Sequence, residues 1–168
     1  MNIKNIVRIV LITFIIVVVL IGCDSTNYAL IICESSYDGK ILESDMACTL
    51  TYYVYYDNKV VKELNIIEEY KLKGGSIEDL IWFSESTDYT FNQDHFNVKG
   101  FTYSSELNDA NFIIQMTLDY SLLDVNSISD DVKGFFFAEQ MIDEHNSVSL
   151  DKLIDYYSVL GFECKEVS

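Results

Sequence analysis

The sequence has no proline. Nothing in it can form a proline-rich spacer, and no long Gly/Ser run takes that place, so no linker divides the chain into two domains. Basic residues are few: 11 Lys and Arg stand against 27 Asp and Glu, a net charge of −16. Such an excess repels phosphate backbones and anionic lipid surfaces, which argues against nucleic acid and anionic ligands as partners. Histidine occurs twice, as His95 and His145, whereas a metal centre needs three or four converging groups. Neither histidine lies in an H-E-x-x-H run, and no G-x-S-x-G occurs. The four cysteines include no C-x-x-C pair. The acidic pairs Glu68-Glu69 and Asp130-Asp131 lack the spacing of a calcium loop and read as solvated faces. No repeat of solenoid length is present. The reading is therefore of a chain with no catalytic residues, no cofactor and no metal site.

What the sequence does contain is apolar and aromatic. Of 168 residues 49% are hydrophobic, including 12 Tyr and 10 Phe, enough for the core of one domain. The first 22 residues read as a targeting segment: Lys4 and Arg8 supply positive charge, and from Ile9 to Gly22 only Thr13 is polar. That run is shorter than the roughly 20 residues a permanent span requires. Leu20-Ile21-Gly22-Cys23 resembles the lipobox of bacterial lipoproteins. The resemblance implies a diacylglyceryl group on the Cys23 sulfur, held by a thioether, and cleavage after Gly22. Two acyl chains give stable anchoring where one is marginal. The expected partition is a signal peptide over 1–22, a lipidated cysteine and short tether over 23–27, and one globular domain over 28–168. Asp24 resembles a retention signal in an envelope with two membranes. The residue usage resembles that of an AT-rich genome, which favours a single membrane.

Hydrophobic periodicity predicts an α+β domain: an antiparallel β-sheet built from hairpins, packed on one face by two or three helices. Residues 28–33 read as a strand and "YDG" at 37–39 as a turn. In the next strand Leu50, Tyr52, Val54 and Tyr56 share one face, and Thr49, Thr51, Tyr53 and Tyr55 the other. Asp57-Asn58 closes a hairpin into a strand over about 59–69. Gly74-Gly75 reverses the chain, and Ser76 caps a helix whose buried side carries Ile77, Leu80 and Ile81. A second hairpin spans 100–120, with Phe112, Ile114, Met116 and Leu118 inward. The stretch 129–145 reads as helical, with Val132, Phe135, Phe136 and Ile142 inward. A last helix is capped by Ser149, carries Leu150, Leu153, Ile154, Tyr157 and Leu160 as one stripe, and stops at Gly161. A short strand, "FECKEV", follows.

The ordered set of a lipobox, "LTYYVYYDNKVVKE", "VKGFTYSSEL", "MTLDYSLLD" and "SLDKLIDYYSVLGFECKEV" resembles the YehR-like family of small bacterial lipoproteins, over residues 48–168. The resemblance implies an antiparallel sheet packed against helices, and it implies no activity. The turn at Asp57-Asn58-Lys59 departs from the family pattern in lacking glycine, and Cys33, Cys48 and Cys164 are not part of that pattern.

Three cysteines remain after Cys23. Cys33 and Cys48 flank the first hairpin and are the candidate disulfide, which would leave Cys164 free; buried free thiols are the alternative. The functional reading is a membrane-anchored extracytoplasmic lipoprotein. It is expected to be monomeric and non-catalytic, held by its lipid at the outer face of the cell membrane, and to bind an unidentified envelope protein or ligand. Tyr53 and Tyr55 mark the interaction face. Two alternatives remain open: an envelope enzyme using His95 or His145 with a carboxylate, and a small solute-binding lipoprotein.

Overall fold

The computed structural model describes residues 28–124, 128, 130–136, 141–142 and 147–167. Six strands form one sheet: β1 (Ala29–Ile41), β2 (Ser44–Asp57), β3 (Val60–Gly74), β4 (Phe101–Asn108), β5 (Asn111–Asp119) and β6 (Glu163–Val167). Their order is β4-β5-β3-β2-β1-β6, with every neighbouring pair antiparallel. Three α-helices lie among the described residues: α1 (Ile77–Phe91), α2 (Asp130–Phe136) and α3 (Leu150–Val159). The α+β class expected from periodicity is the one observed.

Side-chain alternation sorts the sheet into two unlike faces. On one lie Cys33, Met46, Cys48, Val54, Leu64, Ile66, Phe112, Ile114, Met116 and Leu118, all buried. Leu80 of α1, Val132 and Phe136 of α2, and Leu153 and Tyr157 of α3 join the same cluster. The even-numbered face of β2 is thus the core face. Ser76 caps α1 by accepting from the Glu78 amide, and Ser149 caps α3 by accepting from that of Lys152. Gly161, at φ +86°, ends α3.

Gly75 is a harder requirement. At φ +106° it passes so close to β2 that a Cβ would lie 2.7 Å from the Cα of Ser44. That approach lets the buried Ser44 hydroxyl accept from the Ser76 amide at 2.8 Å and donate to Asp79 at 2.6 Å. The start of α1 is thereby fastened to the first hairpin.

Several expectations are corrected. The chain does not turn at "YDG". β1 continues to Ile41 and reverses at Leu42-Glu43. Residues 37–39 carry a turn signature, but Tyr37 and Gly39 face the helices opposite Cys48 and Met46, and that register prevails. Consequently Cys33 lies opposite Tyr52, and Cys48 opposite Tyr37, so the two cysteines are not neighbours. The disulfide instead joins Cys33 to Cys164, which face one another across β1 and β6, and Cys48 is a buried free thiol. Ile81 is 37% exposed and Leu160 53% exposed, so both lie off the buried stripes of their helices. Phe135 is also exposed, though its ring meets Phe91, Phe96 and Phe101. Of the helix expected over 129–145, residues 129, 137–140 and 143–145 lie outside the described residues.

Candidate functional site

The second face of the sheet carries no described helix. Its residues follow from the register. One row runs Leu30, Tyr55, Glu63, Asp119; the next runs Lys165, Ile32, Tyr53, Asn65, Thr117, Thr102; a third runs Glu163, Glu34, Thr51, Ile67, Gln115, Ser104. Tyr53 and Tyr55 therefore stand side by side with Leu30 and Ile32, and none of the four joins the core cluster. Both tyrosines are half-buried. The centre of the face is apolar and hydroxyl-bearing. The Thr117 hydroxyl donates to Asn65 at 2.7 Å, and the Asn65 amide to Glu63 at 2.8 Å. The rim is acidic, with Glu34, Glu63, Glu69, Asp119 and Glu163. At the first-hairpin end, Lys73 pairs with Asp38 at 3.0 Å and Lys40 with Asp45 at 3.5 Å, around a shallow depression of about 440 Å³.

The helix-covered face holds a polar cluster that periodicity did not reveal. Glu68 shares the parity of Leu64 and Ile66, so its half-buried side chain stands on the helix-covered face. The Tyr52 hydroxyl donates to one of its oxygens at 3.0 Å and the Tyr70 hydroxyl to the other at 2.7 Å. Burial first, and then the Glu68 charge, push both hydroxyls well above the ordinary tyrosine value. The reading of Glu68-Glu69 as one shared face is thus corrected: Glu68 stands on the helix-covered side, whereas Glu69 faces the open side and accepts from Asn111. A carboxylate two residues beyond Ile66 and four beyond Leu64 was the available signal; the donors come from other positions on two strands, which periodicity cannot register. Nearby, burial raises the Cys48 thiol above its usual value and so disfavours the thiolate. Glu68 accepts two tyrosine hydrogen bonds, and Tyr52 and Tyr70 each pack against an aromatic ring of a helix, Tyr157 and Phe83. Chemically, this arrangement satisfies buried polar atoms.

His95 sits in a 3-10 turn, Asp94–Phe96, that follows α1. His145 and Cys23 lie outside the described residues. Among the described residues, no group of three or more His, Cys, Asp or Glu is placed to hold a metal ion. Nor is any helix among them long and apolar enough to cross a membrane.

No protein-family model matches the chain, and no curated protein sequence does. Solved structures do. The chain is similar to a protein from Streptococcus pneumoniae TIGR4 solved by NMR, at 14% identity and a TM-score of 0.52, over 86% of this chain and 90% of that one. It is also similar to the NMR structure of the E. coli YehR protein, at 11% identity and a TM-score of 0.50, over 87% of this chain and 96% of that one. At these identities the likeness is one of fold, and the relation to YehR is a relation of fold.

Proposed function

We propose that the protein is a lipid-anchored, non-catalytic module on the outer face of the cytoplasmic membrane, and that it binds an envelope protein through the open face of its sheet. The observation that carries this reading is the placement of Tyr53 and Tyr55 beside Leu30 and Ile32, on a sheet face that no described helix covers. Tyrosine offers a large contact area with few rotors to immobilise. The acidic rim favours a partner with an apolar centre and basic surroundings, in keeping with the net charge of −16. Support for the anchor comes from the lipobox-like run ending at Cys23. Only four residues separate that cysteine from Tyr28, a reach of roughly 15 Å, which would hold the domain against the bilayer.

A photoreactive residue at Ile32, with a control at Trp82 on α1, tests the binding reading in intact cells. Position 32 should cross-link a discrete partner, and the Tyr53→Ser/Tyr55→Ser double substitution should reduce that product at least tenfold in a domain that remains folded by circular dichroism. Equal cross-linking from position 82, or a product indifferent to the double substitution, removes the open face as the binding site. Fatty-acid labelling tests the anchor separately. Cys23→Ser should abolish labelling, and an equally labelled variant overturns the lipoprotein reading.

A further inference from the structure

β6 covers only part of the edge of β1. It pairs with residues 30–34 and goes no further, while β1 continues to Ile41. Among the described residues, no strand or loop pairs with the outer side of residues 36–41. Which backbone groups point outward follows from the alternation of an antiparallel ladder. The two-residue turn at Leu42-Glu43 makes Ile41 and Ser44 its closing pair, so the odd residues of β1 bond to β2. The even residues face the other way. Leu30, Ile32 and Glu34 face β6, with Cys33 and Cys164, joined by their disulfide, as a close backbone pair without hydrogen bonds between them, their Cα atoms 4.0 Å apart. Ser36, Asp38 and Lys40 therefore present their N–H and C=O groups along an open edge.

We propose that this edge pairs with the same edge of a second copy, antiparallel and about a dyad at Gly39, to give one continuous sheet. The argument for a second copy is charge complementarity under the fixed parity. Asp38 and Lys40 bracket Gly39. With Gly39 opposite Gly39 of the other copy, each Asp38 lies opposite a Lys40, and these are the two positions whose backbone groups point outward. Shifting the register by one rung in either direction places Asp38 against Asp38, or Lys40 against Lys40, which opposes like charges. On the other face the same register sets each Tyr37, 50% exposed, beside an Ile41. Glycine at the dyad leaves room for the Tyr37 rings, which already lean over Gly39: a Cβ there would lie 3.3 Å from the ring. Lys73 and Asp45 flank the same charges within each sheet, so pairing extends two ion pairs into one alternating ladder. The edge is short beside a standard interface, so the dimer is expected to form at roughly 0.1 mM. The proposal departs from the monomer expected on sequence.

Sedimentation equilibrium of the mature full chain in detergent micelles tests this pairing. The wild type should associate to a dimer. Asp38→Lys alone and Lys40→Asp alone should each weaken it about tenfold, since either one sets like charges against each other twice. The combined swap, Asp38→Lys with Lys40→Asp, should restore the wild-type constant. Asp38→Pro should abolish the dimer and leave the Cys33–Cys164 disulfide formed, because the amide it removes bonds to no neighbour within the sheet. A chain monomeric at millimolar concentration, a dimer indifferent to the single swaps, a combined swap that does not recover, or capture of a different strand at this edge by a monomeric chain would each overturn the proposal.

Discussion

Glu68 shows how one residue can sit on the wrong side of a pattern and still be stable. A carboxylate on a core face has to find donors, and Tyr52 and Tyr70 supply them from strands β2 and β3. The pair Glu68-Glu69 looks uniformly solvated in sequence, and only the parity of the strand separates the two. Tyr52 and Tyr70 share a consequence with Tyr120 and Tyr157, whose hydroxyls burial also drives upward. Their protonated forms are favoured in the folded chain, while the unfolded chain releases those protons near pH 10. Above that pH the unfolded state binds fewer protons than the native one, so stability, complete at lower pH, falls as pH rises. Urea titrations between pH 9.5 and 11.5 should show the unfolding constant rising about tenfold per pH unit for each such tyrosine. In Tyr52→Phe the slope should be shallower by one tyrosine. A flat profile would mean that these hydroxyls ionise as readily inside the fold as outside it.

Among the elements, those with strong local signals were legible. Ser76 and Ser149 read as caps, Gly161 as a stop, and Phe112 to Leu118 as an alternating strand, and each stands as read. The first hairpin was not legible, because its turn at Leu42-Glu43 contains no Gly, Asn, Asp or Pro. Leu42 itself adopts φ +53° with no glycine to ease it. Misplacing that turn moved every cross-strand partner of β1 and so misassigned the cysteine pair. The disulfide that does form closes a loop across 131 residues of sequence and fixes the short strand β6 to β1. By the chain-entropy account a loop of that length contributes about 5 kcal/mol, and strand-linking bridges commonly deliver about 2–5 kcal/mol. Cys164→Ser should therefore lower the free energy of unfolding by that amount, measured by denaturant titration under oxidising conditions. A loss below about 0.5 kcal/mol would show that β6 is held by its ladder alone.

For the whole molecule, the order β4-β5-β3-β2-β1-β6 puts the final strand against the first, an arrangement that no local pattern announces. The helices then crowd one face, and the open face follows from what they leave uncovered. The alternation in β2 identified its two faces, but that β1 and β3 add Leu30, Ile32 and Ile67 to the outer one depends on register. Charge acts at this scale too. With 27 acidic and 11 basic residues, the folded chain repels itself more than the expanded one does. Raising sodium chloride from about 10 to about 150 mM, which shortens the screening length from roughly 30 to 8 Å, should raise the melting temperature by several degrees. A melting temperature that falls with salt would mean that the exposed ion pairs outweigh the repulsion.

The position of β1 also decides how the molecule bears force. The chain enters the sheet at Ala29, in a strand bonded to β2 along its whole length and to β6 over its first rungs, with the disulfide across the latter pair. Consider a pull at Ala29 directed along that strand. The hydrogen bonds on both sides are then loaded in shear and share the tension, instead of parting one after another as in a zipper. Cys33–Cys164 adds a covalent stop that keeps β1 from sliding past β6. Tension applied along β1 therefore meets the sheet in its mechanically strongest direction.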